Sequence, residues 1–319
     1  MSDARAAVPD LRLLRYFIAV AEELHFGRAA QRLHIAQPSL SRSIADLESM
    51  LGLRLFARTK RSVRLTDAGR TLLQQGSRAL AEVERAFEEV RRVGCGEVGE
   101  LRLGFLPSAT AQLVPAIVRA HRAAFPAVRL HLVELLDQPQ LEALADRRLD
   151  LAIPRTERDD PALVFEPLIR EPLSAAVAHD HRLARRDSTS YADLEGEPFI
   201  LWPRAMAPES FDGVVQGCRA AGFSPQVVQE VSSAYTILGL VAAGVGVSVL
   251  ASSYAARSGG DVVFVPITDS ETTLYLAWRG DDPSMARDNL IDVARRVARQ
   301  PLPTLPGGIP RSLRLTPSC

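Results

Sequence analysis

The sequence is poor in cysteine. Cys95, Cys218 and Cys319 are the three in 319 residues. Their number is odd and their spacing wide, which argues against a disulfide framework or a thiolate metal site and for free or buried thiols. It also lacks a long hydrophobic run. The longest apolar stretch, Ile237 to Leu250, is interrupted by Gly239, Gly244 and Gly246 and is too short to span a bilayer. The opening MSDARAAVPDLRLLR has no apolar core followed by a small-residue cleavage site. No secretory signal is therefore expected, and the cytoplasm is the expected compartment. Catalytic signatures are missing too: no Walker loop, no G-x-S-x-G elbow and no H-E-x-x-H pair occurs. Gly244-x-Gly246 follows a helix pattern and precedes a strand pattern, the reverse of a dinucleotide-binding turn. His179 and His181 lie two apart in a polar loop without further ligands, and read as surface residues. No catalytic residue, metal or cofactor is expected.

What is present describes an ordinary folded chain. Hydrophobic residues make up 47% and charged residues 24%, which excludes wholesale disorder, collagen and a membrane bundle. At this length two domains are the first expectation. The formal net charge is zero, but it is unevenly spread. Leu11 to Thr66 holds ten cations (Arg12, Arg15, Arg28, Arg32, Arg42, Arg54, Arg58, Lys60, Arg61, Arg64) against four anions (Glu22, Glu23, Asp46, Glu48). This segment carries +6 and the remainder −6, so a polyanion partner for the first domain is one reading and a solvated basic surface the other.

Leu14, Phe17, Ile18 and Ala21 fall on one face of a helix from Leu11 to Glu22. A short helix fits Gly27 to Leu33. After His34-Ile35-Ala36 a third begins at Gln37, with Pro38 in its first turn, where a missing N–H costs nothing. Leu40, Ile44 and Leu47 face inward; Gln37, Ser39 and Arg42 point outward. This is helix-turn-helix geometry, in which the last helix enters a major groove. Gln and Arg read adenine and guanine edges, and Ser meets bases or phosphate. Leu55-Phe56 and Val63-Leu65 flank a basic tip, a hairpin wing whose Arg58, Lys60 and Arg61 suit phosphate or minor-groove contact.

Phe26-Gly27-Arg28-Ala29-Ala30, Leu33 to Ser41, Leu47-Glu48, Leu55 to Arg58 and Leu65 to Gly69 together resemble the DNA-binding domain of LysR-type transcriptional regulators, over about sixty residues without a gap. The resemblance implies DNA contact by Arg28, Gln37, Pro38, Ser39, Ser41, Arg42, Arg58, Thr59, Lys60 and Arg61.

Asp67 is placed to cap a further helix. Along it Gly69, Leu73, Gly76, Leu80, Val83, Phe87 and Val90 alternate in steps of four and three, an a/d seam. Leu73, Leu80, Val83, Phe87 and Val90 are read as a dimerisation strut, with burial against its own domain as the alternative. From Glu100 onward strands and helices alternate in α/β fashion. Short strands are expected at Pro172 to Val177 and Leu274 to Trp278, and a helix from Ala109 to Ala124.

This body resembles the effector-binding part of the same family, a two-lobed fold similar to periplasmic solute-binding proteins, with crossovers near Arg170 and Val265. The fold class expected is multidomain: a mainly α winged helix-turn-helix at 1–68, a linker helix and hinge at 69–97, and an α/β effector domain at 98–302. Lobe I takes about 98–169 and 267–302, lobe II about 170–266, and a flexible tail 303–319. Leu238 to Ser248 and Glu134 to Ile153 look closest to regulators of aromatic-compound catabolism.

An effector cleft between α/β lobes lies at strand carboxyl ends and helix N-termini. The candidates are Pro107, Ser108, Ala109, Asp137, Arg155, Trp202, Pro203, Arg204 and Phe211, with Ser232, Ser233 and Tyr235 besides. Ser108 either donates to a ligand or caps its helix. Asp137 departs from the aromatic-acid regulators of the family, in which a hydroxyl residue usually matches it. With Gln140 it forms a capping box. If it faces the cleft instead, it repels an anionic effector unless Arg155 or Arg204 shields it, and a neutral or cationic effector gains ground. The resemblance further implies double-stranded promoter DNA, a small-molecule effector, RNA polymerase and other copies of the chain as partners, up to a tetramer, and no membrane. Two other classes stay open: an enzyme or solute carrier on the two-lobed body, and an architectural DNA binder whose body only oligomerises.

Overall fold

Asp10 accepts a hydrogen bond from the Arg12 N–H at 2.9 Å and so starts helix α1 (Leu11–Glu23). Leu24, at a left-handed φ of 47°, ends it. This computed structural model describes residues 10–58, 62–110 and 113–300. The chain divides into two compact units, 1–92 and 93–319.

In the first unit, α1 is followed by α2 (Phe26–Arg32), α3 (Gln37–Leu51), an antiparallel hairpin of β1 (Phe56–Arg58) and β2 (Val63–Leu65), and the long α4 (Asp67–Gly94). Helix α2 begins one residue earlier than its sequence pattern suggests, because His25 Nδ1 accepts the Arg28 N–H at 3.2 Å. Phe17, Ala29, Leu40 and Ile44 are wholly buried, and the Phe17 and Phe56 rings stand 5.3 Å apart. Burying side chains of this size stabilises by roughly 1.5–3 kcal/mol each. The expected contact residues Thr59, Lys60 and Arg61 lie outside the described residues, as does the tail at 303–319.

Two expectations for α4 are corrected. Its cap is Thr66, whose hydroxyl accepts the Gly69 N–H at 3.0 Å while donating to the Arg54 carbonyl at 2.7 Å; Asp67 sits in the first turn, paired with Arg70. The seam is not one surface. A Cβ at Gly69 would meet the Leu55 carbonyl, and one at Gly76 the Leu14 side chain. Leu73 and Leu80 pack against the first unit's own core. Val83 is half-buried, while Phe87 and Val90 are 67% and 71% exposed.

In the second unit β3 (Gly99–Phe105) runs parallel to β4 (Val128–Glu134) and to β5 (Leu151–Ile153). Two long antiparallel strands, β6 (Leu163–Ala178) and the later β10 (Val262–Arg279), tie the unit together. With Ser248–Ala251, which is β9, the sheet order is β4-β3-β5-β10-β6-β9. A second, parallel pair is β7 (Pro198–Leu201) with β8 (Gln226–Glu230). Helices α5 (Leu113–Ala124), α6 (Asp137–Ala145), α7 (Pro208–Ala220), α8 (Ala234–Ala242) and α9 (Met285–Ala298) cover these sheets.

The strands expected at Pro172–Val177 and Leu274–Trp278 are parts of β6 and β10, which run 16 and 18 residues. Prolines at 167 and 172 hide the continuity of β6 in the sequence, since proline usually ends a strand. The register breaks between Pro266 and Glu271, in the crossover region between the lobes. One lobe's core gathers Leu103, Ile117, Ile153 and Leu276; the other gathers Val177, Phe199, Cys218 and Val249. The helix expected over Ala109–Ala124 is a short 3-10 turn, Pro107–Thr110, and then α5. Among the described residues no helix is long and apolar enough to cross a membrane.

Candidate functional site

The amino-terminal end of α3 is a polar surface. Leu40, Ile44 and Leu47 anchor the helix, and Gln37, Pro38, Ser39 and Arg42 are exposed, with Ser41 half-buried. Most arginines of this unit are held internally. Arg28 donates to the Glu23 carbonyl at 2.6 Å and to its carboxylate at 3.1 Å. Arg32 pairs with Glu22, Arg12 with Asp10, and Arg15 with Glu84. Arg58 lies over the Phe26 ring, 4.6 Å from its centroid, and reaches Glu48. Arg42 and Arg64 make no ion pair among the described residues. Their charge is therefore free for an outside anion.

Glu48 is the residue here whose role the sequence does not reveal. It is 5% exposed and accepts from Leu55 N–H, Phe56 N–H, Arg54 and Arg58. It ties α3 to the wing. The signal available was an acidic residue on the inward stripe of a basic helix.

The second unit holds two adjoining cavities between its lobes, of about 380 Å³ and 270 Å³. Leu136, Trp202 and Tyr254 line both. Pro107, Glu134, Met206, Ser232, Ser233 and Tyr235 belong to the first; Ser108, Asp137, Arg155, Glu209, Glu271 and Thr272 to the second. These volumes suit a small molecule.

Asp137 does not form the expected capping box. It is the first residue of α6, and no side chain caps that helix. Its Oδ1 accepts the Arg155 backbone N–H at 2.5 Å. Gln140 is engaged elsewhere, donating to the Leu135 carbonyl at 3.0 Å and accepting the Ile153 N–H at 3.1 Å. Burial raises the Asp137 pKa above the ordinary carboxylate range, against the opposing hydrogen bond and charge of Arg155; nearby Glu209 pushes it the same way as burial. Ser108 caps nothing: its hydroxyl accepts from the Arg155 guanidinium at 3.0 Å. That guanidinium is ion-paired with Glu171, whose other oxygen accepts the Ser253 N–H at 2.8 Å. Burial drives the Tyr254 hydroxyl up to about 12, so it stays protonated.

Four expected ligand contacts are not brought together with these. Arg204 is exposed, and its Nε and Nη2 donate to the two carboxylate oxygens of Asp212 at 2.7 and 2.9 Å. It lines neither cavity, and nor does Pro203. Phe211 packs against the core around Phe199, and Ala109 is buried in the core of the other lobe. The sequence reading missed Tyr254, Glu209 and Glu271. Tyr254 follows the carboxyl end of β9, where the strand-end rule for ligand clefts already pointed. Among the described residues no cluster of potential metal ligands occurs. His181 Nε2 instead lies 3.3 Å from Glu197.

Residues 11–70 match the model of the bacterial regulatory helix-turn-helix protein, lysR family, and residues 95–299 that of the LysR substrate binding domain. The chain is 39% identical to the uncharacterized HTH-type transcriptional regulator YnfL of Escherichia coli K12, over 84% of this chain and 92% of that one. It is 40% identical to the HTH-type transcriptional regulator CatR of Pseudomonas putida, over 82% and 89%. Crystal structures of the LysR family regulator CbnR superpose with a TM-score of 0.78 alone and 0.73 in complex with its target DNA. Identity is 28% and 27%, covering 90% and 91% of this chain and all of CbnR. A winged helix-turn-helix unit and a two-lobed α/β unit with a cleft define a one-component DNA-binding regulator. The chain belongs to the LysR family of transcriptional regulators, and not to the enzymes built on a two-lobed body.

Proposed function

We propose that the protein binds promoter DNA sequence-specifically through Gln37, Ser39 and Arg42 of α3, with the wing on the flanking phosphates. A small molecule in the cleft between the two lobes controls that binding. The observation that carries the reading is the exposed, acid-free start of α3, where Arg42 has no ion-pair partner among the described residues while Arg28, Arg32 and Arg58 are held internally. Paired recognition helices read half-sites about one turn apart, so the chain acts as a dimer or a dimer of dimers through the exposed half of α4. Phe87 and Val90 are apolar and exposed there. The effector works by preferring one lobe or subunit arrangement over another. RNA polymerase is the partner on the promoter, and the cytoplasm is the place of action.

The test is fluorescence anisotropy with DNA from upstream of the gene and with scrambled DNA, at two salt concentrations. Specific recognition gives tighter binding to the native fragment, falling steeply with salt. Equal affinity for both fragments would favour an architectural role.

A further inference from the structure

We propose that the cleft takes a small organic cation, an amine on an apolar or aromatic body, rather than a carboxylate. This rests on the reading of the cleft as the effector site. Among the described residues, the carboxylates of Glu134, Asp137, Glu209 and Glu271 line the two cavities against one guanidinium, that of Arg155. Arg155 offers an incoming anion little. Glu171 neutralises it, and Ser108 and Thr272 accept from its two terminal nitrogens. Arg204, the other cation that would serve an acid, is bound to Asp212 and lines neither cavity. Glu134, Glu209 and Glu271 are exposed, and among the described residues their carboxylates have no hydrogen-bond or ion-pair partner, so they face water and any incoming ligand. An anionic ligand would add a charge of the same sign to a cleft already lined by carboxylates, whereas an ammonium would supply the opposite one.

Trp202 is an independent observation. It is 8% exposed, lines both cavities, and its indole N–H makes no hydrogen bond among the described residues. That N–H is not among the fully buried unpaired polar atoms, so it stays open to water or to a ligand acceptor. The Trp202 ring and that of Tyr254 line both cavities, and aromatic rings attract cations. Charge and aromatic wall agree on one ligand: an amine with a flat or apolar body.

The experiment is isothermal titration of the full-length protein with benzylamine, benzyl alcohol and benzoate, which share a ring and differ in charge. Benzylamine is expected to bind at least about tenfold more tightly than benzoate. Its affinity should fall about tenfold in Asp137→Asn and in the rim variant Glu271→Gln, and stay unchanged in Arg204→Ala. Thermal unfolding shows that each variant is folded. Benzoate binding as tightly as benzylamine, indifference to both carboxamide substitutions, or no binding by any of the three at millimolar concentration would each overturn the proposal. Anisotropy on the native DNA fragment with the same samples reports the regulator function separately, since loss of DNA recognition leaves the order of the three ligands untouched.

Discussion

The Glu48 carboxylate accepts the Leu55 backbone N–H at 2.8 Å, and the same oxygen accepts that of Phe56 at 3.1 Å. The recognition helix is thereby bonded to the first strand of the wing. Burying this carboxylate is costly, and it is offset by two amide donors and the guanidinium groups of Arg54 and Arg58. Glu48→Ala leaves both amides without an acceptor. It is expected to lower the unfolding free energy by about 2–4 kcal/mol, with Glu48→Gln milder. Urea denaturation of the full chain checks this, and an unchanged midpoint would contradict it.

Arg42 and Arg28 differ in what already holds them, and their substitution should separate DNA contact from folding. Arg42→Ala removes an exposed cation that has no ion-pair partner among the described residues. It is expected to weaken binding to the native fragment by about 1–3 kcal/mol while the melting temperature stays put. If Arg42 meets phosphate alone, the loss is equal on all sequences and the salt slope drops by about one. Arg28→Ala instead breaks the bonds to Glu23 and should act on stability first. Equal effects of the two on DNA affinity at unchanged stability would refute the distinction.

Much of this was written locally in the sequence. Leu40, Ile44 and Leu47 recur at helical spacing, and that period alone places Gln37, Ser39 and Arg42 on the outside. The cleft was less legible because its bonds are long-range. Asp137 and Gln140 have the spacing of a capping box, yet the partner that takes the Asp137 carboxylate stands 18 positions later, at Arg155. Arg204 has the right chemistry for an acid-binding wall, but Asp212 lies within its reach once α7 forms. Periodicity also finds an apolar stripe without saying what covers it, which is why the Leu73–Val90 seam reads as continuous.

The two halves of that stripe should respond differently. Leu80 packs on the core of its own unit, so Leu80→Ala is expected to cost about 1–2 kcal/mol of stability and leave the assembly state alone. Phe87 is 67% exposed, so Phe87→Glu should hardly change the unfolding of the unit. It should shift sedimentation toward smaller species, because a charge would enter the apolar contact between copies proposed for this half of α4. Unaltered assembly in Phe87→Glu would move the contact elsewhere.

Asp137 gives a pH dependence whose sign follows from burial. Its folded-state pKa is raised above the unperturbed 3.8, with burial the largest cause. Between those two values the folded chain holds a proton that the unfolded chain has released. The contribution of this group to stability therefore falls as pH rises through the window, and it is least favourable above the raised value. Asp137→Asn keeps an oxygen for the Arg155 N–H and removes the charge. The variant should melt higher than the parent at neutral pH, and the gap should narrow as pH is lowered through the raised pKa, where the parent takes up a proton in the folded state. Differential scanning calorimetry of both proteins across that range, without added ligand, measures the gap. A variant that melts lower than the parent at neutral pH would mean that the Arg155 interaction outweighs desolvation, and the cleft would then be less averse to negative charge than its burial indicates.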